Sequence, residues 1–145
     1  MPIFLDSTSS PCYFALNDTH GSINSDFLGD QLACRWVITT SAHQNIRLNF
    51  TFFQLSDDAS IKVYNGNSEK SYLLGTFTGT RHRFVVHTNN RFMLVKLTKE
   101  YSDSLCKFEA VFTSSTSKGK LWYTLIHKWA ARAIMAFPIM ALGSS

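Results

Sequence analysis

The clearest pattern in the chain is an alternation in its middle. Ile46, Leu48, Phe50 and Phe52 alternate with Arg47, Asn49 and Thr51. A period of two sends one set towards a core and the other towards water, which is the signature of a half-buried strand. Ile61 and Val63 repeat it against Lys62 and Tyr64, and Asn65-Gly66 closes that strand with a turn. Residues 73–78 form another candidate strand, ended by Gly79-Thr80. Residues 84–87 and 92–98 flank an Asn89-Asn90 turn, and in the second of them Met93, Val95 and Leu97 share a face. Phe108, Ala110 and Phe112 alternate with Lys107 and Glu109 as the last strand. Earlier in the chain, residues 13–16 form a short strand candidate, 17–21 turn by composition, and 31–40 contain an apolar stretch around Trp36, Val37 and Ile38. The polar stretches 54–60 and 100–104 are expected to be loops. Short strands at this spacing predict a β-sandwich or barrel. No strand–helix–strand rhythm is present, which excludes a doubly wound nucleotide-binding fold.

Beyond the last strand the period changes. Residues 114–120 are a Ser/Thr/Lys-rich linker, and from Leu121 the apolar positions fall at helical spacing until Pro138. The expected layout is a lead-in at 1–11, a β domain at 12–113, the linker, and a helical tail at 121–145. Charge follows the same division. Residues 1–112 hold five Lys, five Arg and ten acidic residues, whereas 113–145 hold Lys118, Lys120, Lys128 and Arg132 and no acid. The whole net charge of +4 therefore sits in the tail. A neutral body gives no reason to expect nucleic acid as a partner. The basic aromatic tail either is not native to the domain or contacts a membrane surface as an interfacial helix, ahead of a spanning one, since His127, Lys128 and Arg132 interrupt any spanning segment.

Three cysteines, Cys12, Cys34 and Cys106, allow one disulfide and leave one thiol. With the sequons Asn17-Asp18-Thr19 and Asn49-Phe50-Thr51, which make Asn17 and Asn49 candidate glycosylation sites, they lean towards a secretory compartment. Residues 1–6 show no charged region followed by an apolar run, so no signal peptide is read and a truncated N-terminus is expected. The five histidines, His20, His43, His82, His87 and His127, share no ligand spacing and accompany no nucleophile motif. They are expected on strand surfaces and loops, not in a catalytic or metal site, and a hydrolase with a dispersed site is the least favoured reading.

In order along the chain, Cys12, Gly21-Ser22-Ile23-Asn24-Ser25, Cys34-Arg35-Trp36-Val37-Ile38, Ile61-Lys62-Val63-Tyr64-Asn65-Gly66, Leu74-Gly75-Thr76-Phe77-Thr78-Gly79 and Phe108-Glu109-Ala110-Val111-Phe112 resemble the CUB domain family. The resemblance implies an all-β, antiparallel sandwich of jelly-roll type with a Cys12–Cys34 disulfide and Trp36 packed in the core. Two departures stand out. The family's common second disulfide would join a position near Asp57 or Asp58 to position 78, which is Thr here. Its calcium ligands, a glutamate and two aspartates, fall on Ser56, on Ala59 beside Asp58, and near Glu100 or Asp103. Only a shifted calcium site could form from these residues, and no cofactor is expected.

The resemblance implies a non-catalytic module on a larger secreted or cell-surface protein. It would offer loops carrying Asp57, Asp58, Arg81, His82, Arg83 and Glu100 to a protein or glycan partner. The alternative is a membrane-associated protein anchored by the tail.

Overall fold

The computed structural model describes residues 12–116. The expected lead-in at 1–11 and the helical, membrane-contacting tail at 121–145 lie outside the described residues. Within them are ten strands: β1 (Tyr13–Leu16), β2 (His20–Asn24), β3 (Ala33–Thr39), β4 (Asn45–Leu55), β5 (Ala59–Asn65), β6 (Tyr72–Phe77), β7 (Thr80–Arg81), β8 (Phe84–His87), β9 (Phe92–Lys99) and β10 (Cys106–Ser115). They form two sheets. One has the order β1-β3-β9-β5-β6; in the other β2, β10 and β4 are consecutive, and β4 pairs on its far side with β7 and then β8. The described domain is therefore an all-β sandwich.

The inward set of each strand meets between the sheets. Ile38, Ile61, Val63, Met93, Val95 and Leu97 come from the first sheet, and Ile46, Leu48, Phe50, Phe108, Ala110 and Phe112 from the second, all buried. Phe50 is the hub. Its ring stacks on Phe84 with centroids 4.6 Å apart, meets Phe53 edge-on at 5.5 Å, and reaches Phe108 at 6.0 Å. Its contact with Phe77 of β6, at 6.4 Å, crosses from one sheet to the other. Trp36 is buried between Phe14, stacked at 6.0 Å, and the edge of Phe108 at 5.3 Å. Gly21 is required where β2 crosses Phe112, because a Cβ there would lie 2.7 Å from the ring.

Four expectations need correction. Phe52 does not continue the inward set of β4: it is 47% exposed, and Phe53 is buried instead. The cause is a bulge, since Ala110 pairs with Phe50 and Glu109 with Phe52, leaving Thr51 as the extra residue. One extra residue reverses the alternation for the rest of the strand. The sandwich is also not wholly antiparallel. β1 runs parallel to β3, with Tyr13 opposite Arg35 and Phe14 opposite Trp36. The Cys12–Cys34 disulfide (Cα–Cα 4.8 Å) joins the two strand starts, and Arg35 N–H donates to Cys12 O at 2.9 Å, so both strands leave the bridge in the same direction.

The expected loop at 54–60 shrinks to 56–58, because β4 runs on to Leu55 and β5 starts at Ala59. The expected linker loses its first two residues to β10, in which Ser114 and Ser115 pair with Ile46 and Asn45.

Candidate functional site

The shortened 56–58 loop lies at one end of the sandwich with the 25–32 and 100–105 connections, and side chains tie all three together. Asp58 is the first tie. Ser56 Oγ donates to its Oδ1, and Ser104 Oγ donates to its Oδ2 at 2.7 Å. Those hydroxyls, Ser56 first, hold the Asp58 carboxyl below the usual carboxylate range. Backbone bonds run parallel to them, from Glu100 N–H to Asp58 O at 3.0 Å and from Ser56 N–H to Leu105 O at 2.9 Å.

Lys99 is the second tie. It ends β9 and is only 7% exposed. Its ammonium donates to Gly29 O at 3.2 Å and Ser102 O at 2.8 Å, so one cation pins two connections. Thr78 is the third. Its hydroxyl donates to Ala59 O at 2.5 Å, with Ser56 O at 3.1 Å, and so holds β6 against the 56–58 loop. This hydrogen bond joins the two segments that a second disulfide would otherwise join.

Between these ties lies an open cleft of about 490 Å³ lined by Asp57, Asp58, Ala59, Ser60, Thr98, Lys99 and Glu100. Asp57 and Glu100 are exposed. The structure thus brings together three of the six expected loop residues, Asp57, Asp58 and Glu100. Arg81, His82 and Arg83 stand apart from that cleft. Arg81 pairs with Phe53 in β7, and its guanidinium lies over the rings of Phe77 (5.2 Å) and Phe84 (5.5 Å). His82 and Arg83 are exposed between β7 and β8. The tying roles of Lys99 and Ser104 are not legible in the sequence, because they depend on loops far apart in the chain, and Thr78 is marked there only as a departure from the family's second disulfide. Nothing local marks Lys99 as buried.

The outer face of the other sheet carries a row of His20, Thr113, Arg47 and His87 in cross-strand register. The two histidines are three strands apart, about 14 Å at the usual strand spacing, too far to share a proton or a metal. Asn17 is exposed in the β1–β2 turn, and Asn49 lies partly exposed in mid-β4. Cys106 is half-buried, and burial pushes its thiol up to about 11, with the charge of Lys99 opposing the shift. At neutral pH it is a protonated thiol and a poor nucleophile.

A two-sheet β-sandwich with a disulfide joining the starts of β1 and β3, a buried tryptophan beyond the second cysteine and loops gathered at one end defines a class of small all-β domains. The family model for the CUB domain matches residues 12–112, and the chain belongs to that family. Pig cubilin is 31% identical over 106 residues, which is 66% of this chain and 3% of cubilin. The zinc metalloproteinase nas-39 of Caenorhabditis elegans is 27% identical over 113 residues, 71% of this chain and 12% of the proteinase. The chain therefore spans a small part of the curated relatives it matches. Among solved structures, the full extracellular region of zebrafish Gpr126/Adgrg6 superposes over 72% of this chain and 15% of that one, with a TM-score of 0.61 at 19% identity. The calcium-bound second CUB domain of MASP-1 superposes over 68% of this chain and 96% of its own, with a TM-score of 0.57 at 14% identity.

The described residues at this loop end do not fit a calcium ion. Calcium takes six to eight oxygen ligands, several of them anionic. Here both oxygens of Asp58 accept serine hydroxyls, and the cleft beside it is lined by a lysine. Among the described residues, no three His, Cys, Asp or Glu side chains are grouped to hold a metal. The ammonium of Lys99 and the hydroxyls of Ser56, Ser104 and Thr78 cross-link the loops. Two results are expected from thermal melts of the full chain. Chelation with EGTA leaves the midpoint unchanged, and Lys99→Met lowers stability by roughly 1–2 kcal/mol, because two charge-assisted, partly buried hydrogen bonds to Gly29 O and Ser102 O are lost while both carbonyls can still reach water. A midpoint that rises by several degrees with added calcium would show that the loops still bind the ion.

Proposed function

We propose that the domain is a non-catalytic, extracellular protein-binding module carried on a larger secreted or cell-surface protein. We infer that its contact surface is the end bearing the 56–58 and 100–105 loops, and that it favours a basic segment of a partner protein. The observation that carries this reading is the cleft edged by Asp57, Asp58 and Glu100. Two of those carboxylates, Asp57 and Glu100, are exposed and make no side-chain hydrogen bond within the described residues. The remaining carboxylate and Lys99 are committed to holding the loops, so the surface is supported from below while its rim stays free. Fixing a loop before binding lowers the ordering cost of the complex. Membership of the CUB family supports the binding role, and the disulfide supports an oxidising compartment.

The test uses the immobilised full chain with oligolysine and oligoglutamate peptides in low salt. Oligolysine is expected to be retained, whereas oligoglutamate, which the basic residues of 113–145 attract, is expected to bind equally to the chain and to the loop variant. The double variant Asp57→Asn, Glu100→Gln is expected to weaken retention about fivefold, the scale of two exposed charges, with an unchanged melting midpoint. Oligolysine retention unaffected by the double variant, together with oligoglutamate retention lost in Arg83→Ala, would move the contact surface to the 81–83 segment.

A further inference from the structure

The outer face of the β2–β10–β4–β8 sheet presents Asn49 at its centre. Val111 of β10 and Val85 of β8 stand directly opposite it in register, 44% and 38% exposed. Phe52, turned outward by the bulge in the same strand, adds a third exposed apolar side chain. Val85, Val111 and Phe52 thus put three partly exposed apolar side chains around Asn49 on one sheet face.

The asparagine between them is chemically free. Asn24, Asn45, Asn65, Asn89 and Asn90 all commit their carboxamides to hydrogen bonds inside the domain. The carboxamide of Asn49 makes none within the described residues. It also heads the sequon Asn49-Phe50-Thr51. Phe50 points into the core, so Asn49 on the neighbouring position of the strand points to the outer face, where it is partly exposed.

We propose that Asn49 carries an N-linked glycan whose first sugars lie over Val85, Val111 and Phe52. The sugar supplies apolar C–H faces to these side chains and hydroxyls to water. The modification closes this sheet face to partners and leaves the acidic loop end as the open surface. It rests on the extracellular reading alone, not on the choice of the acidic loops.

The test secretes the full chain from mammalian cells behind an appended signal peptide. Treatment with peptide N-glycosidase in heavy-oxygen water, followed by peptide mass spectrometry, is expected to label position 49. Asn49→Gln and, independently, Thr51→Val should each remove that glycan. Each variant should also raise binding of an apolar-surface dye severalfold, with an unchanged far-ultraviolet circular dichroism spectrum. Thr51→Val serves as the second variant because it keeps the β-branched shape in the bulge. A secreted chain with the Cys12–Cys34 bridge formed and position 49 unlabelled overturns the glycan proposal only. A chain recovered with Cys12 and Cys34 reduced overturns the extracellular reading with it. A labelled position 49 with no change in dye binding in either variant overturns the covering role.

Discussion

Phe50→Ala is expected to lower the unfolding free energy by about 3–5 kcal/mol, the largest loss of any single truncation in the domain. Phe50 is fully buried and touches four other phenylalanine rings, one of them across the sandwich. Truncation removes the transfer free energy of one ring. It also leaves a hole walled by Phe53, Phe77, Phe84 and Phe108, which the two sheets cannot close without moving their strands. Offset and edge-on ring pairs add roughly 0.5–1.5 kcal/mol each beyond burial, so the loss falls towards the upper end of the range. Phe52→Ala, two residues along the same strand, is the control. Its side chain is nearly half exposed, and its removal should cost under about 1 kcal/mol. Urea unfolding of the two variants should separate their midpoints clearly with similar slopes. Equal losses would mean that Thr51 does not form the bulge.

The second large effect is on the bridge. A disulfide spanning 22 positions contributes about 3 kcal/mol in the chain-entropy model, and in a small domain with one bridge that is a large part of a total of roughly 5–15 kcal/mol. The paired variant Cys12→Ala, Cys34→Ala is expected to lower the melting temperature by roughly 10–20 °C. The loss has a local component. β1 has one neighbour, β3, and its first backbone hydrogen bond is the one from Arg35 to Cys12. Without the bridge this four-residue parallel edge strand should fray first, exposing one face of Trp36. Calorimetry measures the loss, and tryptophan fluorescence should shift to the red before the main transition. Cys106→Ala should leave both signals in place, and a matching loss in that variant would mean that the thiol, not the bridge, carries the stability.

The sandwich was legible because burial on one face is written at every second residue. Met93, Val95 and Leu97, and Phe108, Ala110 and Phe112, are read inward from the sequence and are buried in the structure. Phe52 was misread because a bulge is set by the partner strand, and no residue of Asn49-Phe50-Thr51-Phe52 announces it. β2 was read as a turn followed by a family motif because only Ile23 among its five residues is apolar and buried. The acidic pair Asp57-Asp58 was visible as a loop feature, but not the division of labour within it, with Asp58 taken up by Ser56 and Ser104 and Asp57 left free. That division depends on Ser104, which is 46 residues away from Asp58. Lys99 is the same case. Its partners Gly29 and Ser102 belong to different connections, and a lysine at the end of a strand reads as solvent-exposed until the connections close over it.

The position of β10 has a consequence for how this domain is made. The last strand among the described residues is interior to its sheet: Glu109 faces Asn24 on one side and Phe52 on the other. A ribosome that has delivered residues up to 105 has therefore produced a sheet that lacks its middle. β4, with Phe50 and Phe53 on its inner face, must wait unpaired along that side until the final ten-residue strand emerges. A chain cut short before residue 106 lacks the strand that pairs with both β2 and β4, and is expected to lose the fold instead of an edge of it. Throughout that wait Asn49 is open to any enzyme that modifies the growing chain.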